Sequence, residues 1–493
     1  MIFLSFFAHF FVFGTQAIPE DIEIQSNIRK TLSKWAADGL QHAFIETAGG
    51  VLSPGPNGTS QADLYRPLRL PIVLVADSRL GGISSSLSAF ESLHVRGYDV
   101  HSVLLFEDPY YRNHEYLREY FQKRDIPLVS FPPPPDRSVS WINPDEKSRD
   151  KEAMMSYYES MARRDDISGL LEALNLREQA RIDNMQSMAD RTCETIWYPF
   201  TQHQGITAKD ITIIDSAYGD YFQTYTKQNT GLSISSAEEQ TNAQSNLLEP
   251  MFDGSASWWT QGLGHGNPDL SLAAAYAAGR YGHVMFAESI HEPALTLAEL
   301  LIRSLQNPRL NKVFYSDNGS TGMEVAVKMA LRAASARYGW NATVETEQGD
   351  IKVLGLKGSY HGDTIGVMDC SEPSTYNKKV EWYRGRGYWF DFPVVKMSQG
   401  AWRVEIPMTL QPQLGSDNVQ FSSLNDVFNL RDRRNTTISS KYQQFIKNTI
   451  EHLVSREGYR FGALIMEPVI LGAGGMLFMY IPLSASHLLR NMA

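Results

Sequence analysis

VFYSDNGSTGMEVAVKMAL, residues 313–331, is the stretch whose reading decides the fold. Val313, Phe314 and Tyr315 are apolar and β-favouring, and they predict a short buried strand. Ser316 to Ser320 is loop chemistry, and Thr321 opens a predicted helix with Val325, Met329 and Ala330 near one face. A Gly-Ser-Thr turn at a helix N-terminus offers backbone N–H groups and hydroxyls to an anion, and the helix dipole adds roughly half a positive charge there. Gly319, Ser320 and Thr321 are therefore a candidate phosphate cup. An ordinary capped strand-to-helix turn would use the same residues.

Four further motifs surround this stretch. Upstream lie DGSASWWTQGLGHGNP (253–268) and HVMFAESIHEPA (283–294); downstream lie GSYHGDT (358–364) and ALIMEPVILGAGGM (463–476). In this order and spacing they resemble the fold-type I, class-III aminotransferases, which use pyridoxal 5'-phosphate (PLP). The Trp258-Trp259 pair, the HVMF run and Tyr360-His361-Gly362-Asp363 look most like the 7,8-diaminopelargonic acid aminotransferases of biotin synthesis. The resemblance covers roughly residues 194–476. It implies that Gly319, Ser320 and Thr321 hold the cofactor phosphate and that Tyr360 stacks on the pyridine ring, supported by His361 and Asp363. It also implies that Trp258, Trp259 and Tyr360 contact substrate. Adjacent tryptophans ordinarily divide between core and surface, but a rigid aromatic pair can also wall a pocket for a long aliphatic chain.

Composition excludes other classes. The 493 residues suffice for two or three domains, and 43% hydrophobic with 20% charged residues is a globular balance. A net charge of −10 argues against nucleic acid as a main partner. Cys193 and Cys370 alone make neither a disulfide framework nor a zinc motif, and a reducing compartment is the simplest reading. Met1 to Phe13 is almost wholly apolar. It lacks the basic start of a signal peptide, is too short to span a bilayer and is not Arg- and Ser-rich like a mitochondrial transit peptide. Residues 1–20 are read as an apolar leader, either weakly signal-like or an alternative start.

Ile22 to Trp35 reads as an amphipathic helix and Ala43 to Glu46 as a short strand running into Thr47-Ala48-Gly49-Gly50. A carboxylate at a strand end followed by glycines suits a Mg-nucleotide site, although strand-end glutamates are more often simply solvated. Pro71–Ala76 is a β-run, Gly81–Ser86 a turn, Leu87–Arg96 a helix and Val100–Phe106 another β-run, the unit of a parallel sheet. ETAGG (46–50) and DSRLGGISS (77–85) resemble the C-terminal half of dethiobiotin synthetase, a P-loop-type ATP-dependent carboxylase. By that resemblance Glu46 is a Mg2+ ligand, and Glu46, Thr47, Ala48 and Gly49 line the nucleotide. The family's Gly-Lys-Thr loop has no counterpart, since no Gly-Lys pair occurs in the chain.

Phe131 to Pro135 is a stiff linker signal, followed by two charged, helix-favouring segments at 147–164 and 166–190, read as a solvated bridging pair. Ile211–Ser216 and the Tyr-rich run to Tyr225 read as a β-meander. IWYPFTQH (196–203) corresponds to a family segment that reaches into the substrate pocket, with Phe200 where some members carry Tyr. PLP chemistry requires a lysine to hold the cofactor covalently and an aspartate to keep its ring nitrogen protonated. In the family both lie beyond the Glu-Pro strand, here ending at Glu467, yet no lysine or aspartate follows Glu467. The expected catalytic set is thus empty, with the Schiff-base lysine absent.

The expected fold class is α/β: part of a P-loop-type parallel-sheet domain at 21–130, a Pro-rich and helical connector at 131–193, and part of a PLP fold-type I aminotransferase large domain at 194–493. The chain reads as truncated at both ends. The resemblance implies amino transfer from S-adenosylmethionine to 7-keto-8-aminopelargonate, then carboxylation of diaminopelargonate with ATP and Mg2+. It further implies a homodimer with no membrane span, in the mitochondrion or else the cytoplasm. A non-catalytic fragment or ligand-binding pseudoenzyme, and an ornithine- or γ-aminobutyrate-type class-III aminotransferase, are the competing readings.

Overall fold

The apolar start of the chain supplies a strand rather than only a leader. In the computed structural model, β1 (Ile2–Ser5) pairs in parallel with β2 (Ala43–Glu46), Ile2 opposite Ala43. The structure describes residues 2–5, 19–40, 42–136, 144–198, 201, 203–226, 248–284, 287–340, 351–416, 419–434, 436–467, 470–472 and 476–478. The chain divides into two compact units, Met1–Ser289 and Ile290–Ala493.

In the first unit, the helix Asp21–Ala37 opens with a Glu20/Glu23 capping box and buries Ile24 and Ile28 against Leu64 and Leu68, leaving Ile22 exposed. Strands β3 (Ile72–Val75), β4 (Val100–Phe106) and β5 (Leu128–Phe131) form a parallel sheet in that order. Two helices, Gly82–Val95 and Asn113–Gln122, make the crossovers and pack Phe90, Leu93, Leu117 and Phe121 on Val103 and Leu105. Each such side chain contributes about 1.5–3 kcal/mol of burial. The expected turn at 81–86 is mostly helix. Gly82 allows this, because a Cβ there would lie 2.0 Å from the Asp77 carbonyl oxygen, so the helix can start against the end of β3.

The connector is only half a solvated bridge. The helix Pro144–Ala162 is largely exposed, but Asp165–Thr195 buries Ile182, Met185 and Ala189. Ile182 and Met185 pack beside Leu248, Ile213 and Tyr225. Strands β6 (Ile213–Tyr218), β7 (Tyr221–Tyr225) and β8 (Glu249–Phe252) form the antiparallel meander. Asp215 on β6 binds Arg69 at 2.7 Å and Arg181 of the connector at 3.1 Å, so ion pairs as well as apolar packing dock this helix.

In the second unit, β9 (Ile351–Leu356) lies between β10 (Gly387–Phe390) and a later parallel strand. Strands β11 (Val394–Ser398), β12 (Ala401–Glu405) and β13 (Gln420–Phe421) follow, then β14 (Arg460–Leu464), which closes the parallel trio. With β15 (Ile470–Leu471) and β16 (Met476–Phe478), the antiparallel sheet has the order β13-β12-β11-β16-β15. The helix Thr437–Ser455 places Ile438, Tyr442, Ile446, Ile450 and Leu453 on one face at helical spacing, and they form its core with Leu354, Leu356 and Phe390.

Two expectations from the deciding stretch fail. Val313–Tyr315 is not a strand, and Phe314 is exposed. The parallel sheet ends at β10 and β14, and among the described residues Val313–Tyr315 pairs with neither; three β-favouring residues without a hydrogen-bonding neighbour do not make a strand. The helix runs from Gly319 to Arg337, two residues earlier than Thr321. Its inward stripe is Val327, Leu331 and Ala334; Val325 and Ala330 are half-buried, and Met329 is 54% exposed. Packing against Val353 and Ala463, not local propensity, sets that rotation.

Candidate active site

The candidate phosphate cup is the N-terminus of the helix Gly319–Arg337. Asn318 caps it: its Oδ1 accepts from the Thr321 amide at 3.0 Å, and Thr321 Oγ1 accepts from the Asn318 amide at 3.4 Å. Such a cap contributes about 1 kcal/mol. The Thr321 hydroxyl donates to Asp317, a bond that holds the Asp317 carboxyl below the usual range. Thr321 therefore serves the cap, whereas the amides of Gly319 and Ser320 have no acceptor within the helix. A Cβ at Gly319 would meet nothing within 4 Å, so the approach is open.

The Tyr360–Asp363 loop lies against this cup. Ser320 Oγ accepts from the Asp363 amide at 3.1 Å. Gly362 sits at φ 139°, and a Cβ there would stand 2.6 Å from Ser320 Oγ and 2.8 Å from Val367 Cγ1. Only glycine permits that approach. The Tyr360 hydroxyl donates to Asp363 at 2.8 Å; burial first, then Asp363, pushes the phenol up to about 12. Glu467, at the end of β14, accepts from the amides of Tyr360 at 3.4 Å and Gly472 at 2.6 Å. His361 is buried with no hydrogen-bond partner on Nε2, and burial brings its pKa down to about 4, so the ring is neutral near pH 7.

These residues fit part of PLP. Two outward amides at a helix N-terminus suit the phosphate, and the half-exposed Tyr360 offers an aromatic face beside it. The orphaned His361 nitrogen is a buried polar atom that a further group would satisfy. Two lysines that flank these loops in sequence are engaged: Lys328 binds Glu324 at 2.8 Å, and Lys357 binds Asp391 at 2.7 Å.

Trp258 and Trp259 belong to the first unit and occupy an unusual turn. Ala256, Ser257, Trp258 and Trp259 have φ of 46°, 46°, 57° and 64°, four consecutive non-glycine residues in the left-handed region. That conformation costs about 1–2 kcal/mol per residue. Asp253, itself buried, accepts from Ser255 Oγ at 2.9 Å, Ser257 Oγ at 2.9 Å and His265 Nε2 at 2.8 Å. Burial alone would raise its carboxyl; the hydrogen bonds, His265's the largest, override that and hold it at about 2. His265 is fixed in turn by backbone hydrogen bonds with Gly219 and by the Phe222 ring at 5.0 Å. The two indoles are 70% and 69% exposed.

Glu46 ends β2, and Glu46, Thr47, Ala48 and Gly49 form an exposed loop. The Gly49 amide donates to Thr47 O at 3.1 Å, and φ of 98° at Gly49 allows the turn, where a Cβ would lie 2.7 Å from Ser53 Oγ. Among the described residues, no group of three or more His, Cys, Asp or Glu could hold a metal ion. Mg2+ at Glu46 would therefore take its other ligands from phosphate oxygens and water. Nearby, Asn113 is buried and donates to the carbonyls of Asp77 at 3.1 Å and Arg79 at 2.8 Å, pinning the DSRLGGISS turn.

Sequence reasoning missed Asn113, Asp253, His265 and Glu467. The last three lay inside quoted motifs, where an acid before Gly-Ser, a His between glycines and an acid before Pro were the available signals; Asn113 had none. Phe200, Met285, Phe286, Gly474 and Gly475 lie outside the described residues.

Comparison with known proteins adds the lineage. Residues 7–135 match an AAA domain model, and residues 245–404 match the class-III aminotransferase model. The chain is 63% identical over 464 residues to a bifunctional dethiobiotin synthetase/adenosylmethionine-8-amino-7-oxononanoate aminotransferase of Emericella nidulans, covering 94% of this chain and 57% of that protein. It is 39% identical to a mitochondrial bifunctional dethiobiotin synthetase/7,8-diamino-pelargonic acid aminotransferase of Oryza sativa subsp. japonica, covering 93% and 53%. A crystal structure of adenosylmethionine-8-amino-7-oxononanoate aminotransferase from Methanocaldococcus jannaschii aligns with a TM-score of 0.37 and 18% identity, covering 62% of this chain and 52% of that one. The chain spans about half the length of the curated relatives it matches. Its AAA match precedes its aminotransferase match within one polypeptide, and the chain belongs to the family of bifunctional dethiobiotin synthetase/diaminopelargonic acid aminotransferases.

Proposed function

We propose that this chain contributes to biotin biosynthesis as part of a protein that moves an amino group from S-adenosylmethionine to 7-keto-8-aminopelargonate and carboxylates the resulting diaminopelargonate with Mg-ATP; these 493 residues carry the cofactor cup and part of the nucleotide loop, while the Schiff-base lysine and the Gly-Lys-Thr loop have no counterpart among them. The observation that carries the reading is the cup itself, two outward helix amides with the Tyr360 loop laid on them through Gly362. PLP, when bound, supplies the electron sink for the amino transfer. The Gly319 and Ser320 amides hold its phosphate, and Tyr360 offers a ring face whose phenol stays protonated at working pH. Asp363 and Glu467 orient that loop, and neutral His361 supports it from below. Trp258 and Trp259 wall the aliphatic chain of the acceptor. In the synthetase part, Glu46 carries Mg2+, and Thr47, Ala48 and Gly49 line the nucleotide phosphates.

The domain limits follow the motifs: 21–130 synthetase-like, 131–193 connector, 194–493 aminotransferase-like. The protein works as a homodimer, a reading supported by Leu295, Leu297, Leu300, Leu301 and Leu305, all exposed on the helix Glu292–Leu305. A mitochondrial address is supported by the printed names of the rice and Arabidopsis thaliana relatives. Deleting the gene in its own organism tests the function. Growth should then require biotin or dethiobiotin, and diaminopelargonate alone should not restore it, because both steps are lost. Growth without supplement would overturn the reading.

A further inference from the structure

We propose that Asp253 and His265 are positioning residues: together they lock a left-handed turn that presents Trp258 and Trp259 side by side as the apolar wall for the acceptor's aliphatic chain. The inference rests on the function proposed above. Four successive residues without a glycine do not hold a left-handed conformation on local preference. Something must overdetermine the turn: its backbone closes on itself, the Trp259 amide donating to Ser255 O and the Gln261 amide to Ala256 O, both at 3.0 Å, and one buried carboxylate ties the turn to what flanks it. Asp253 gathers the Ser255 hydroxyl before the turn, the Ser257 hydroxyl within it and the His265 ring beyond it. His265 is anchored to β6 and β7 through the Gly219 bridge and Phe222, so the turn is referred to the rigid meander. The outcome is two large indoles held outward, where ordinary packing would have buried at least one. Strain of this kind, sustained by surrounding contacts, is found where a chain must present particular side chains.

The test is 19F NMR of the 493-residue chain labelled with 5-fluorotryptophan, its nine tryptophans giving separate signals. Trp258→Phe and Trp259→Phe assign the two of interest. In the unmodified chain both should stand apart from the unfolded position and should shift on titration with 7-keto-8-aminopelargonate. Asp253→Asn should move both to the unfolded position, leave the other signals in place and weaken the apparent affinity at least about tenfold. His265→Gln keeps a donor toward Asp253 and should preserve the two signals; His265→Phe should lose them. Unchanged signals and affinity in folded Asp253→Asn and His265→Phe would overturn the proposal. If the two signals depend on Asp253 but ignore the keto acid, the lock stands and the substrate reading fails.

Discussion

The Tyr360 loop and the Trp258 turn both need backbone conformations that side chains resist, and the chain meets the need in opposite ways. At the loop it removes the obstacle: Gly362 carries the positive φ and lets the backbone touch Ser320 and Val367. At the turn it keeps the side chains and restrains them through Asp253. The first device suits a place where backbone must come close to another element. The second suits a place where the side chains are themselves the product.

Gly362→Ala should break the comparison hardest. Its Cβ would overlap Ser320 and Val367 at an unfavourable φ, so the second unit should lose about 3 kcal/mol or more in urea unfolding, together with PLP retention. Ala256→Gly at the turn should do the reverse. It relieves one left-handed residue with no recorded side-chain bond, and the first unit should gain up to about 1 kcal/mol after glycine's entropic cost.

pH separates the two regions further. Asp253 is held at about 2 against an ordinary 3.8, so its contribution is complete above pH 3.8 and is lost as pH falls through about 2. Tyr360 is raised from 10.0 to about 12, so its contribution is complete below pH 10 and is lost as pH rises through about 12. In unfolding followed from each side, other groups share each limb, the Tyr98, Tyr383 and Tyr442 phenols also being raised by burial, so single-residue variants isolate these two contributions. Asp253→Asn should flatten the acid limb, and Tyr360→Phe the alkaline one. The smallest effect is Lys328→Met: its exposed pair with Glu324 should be worth no more than about 0.5 kcal/mol, and borohydride with PLP should give no stoichiometric, site-specific adduct at Lys328 or Lys357 above the labelling of other exposed lysines.

How legible each region was follows from where its causes lie. Ala43–Glu46 and Val100–Phe106 were bounded to the residue, because short apolar runs flanked by turn residues carry their own limits. That a polar turn leads into a helix after residue 316 was legible too, although the helix starts at Gly319 with Asn318 as its cap and not at Thr321. Val313–Tyr315 was misread because a strand is made by pairing with a neighbour, which three apolar residues do not encode, and this stretch pairs with neither edge strand, β10 or β14. The Asp165–Thr195 helix looked solvated because Arg181 is a charge in sequence, yet an ion-paired contact to Asp215 in space. The handedness of the Trp turn was not legible at all. Nothing in Ala-Ser-Trp-Trp favours it, and its restraint comes from Asp253 before the turn and His265 beyond it.

One bond of the cup joins residues far apart along the chain. Glu467 receives the Tyr360 amide across 107 positions. A ribosome adding about 5–20 residues per second makes Glu467 roughly 5–20 s after Tyr360. Through that interval the helix N-terminus and its cap, which are local, can form, while the loop that covers them waits for β14 to dock. The helix N-terminus and its cap are therefore complete several seconds before the Tyr360–Glu467 bond can form.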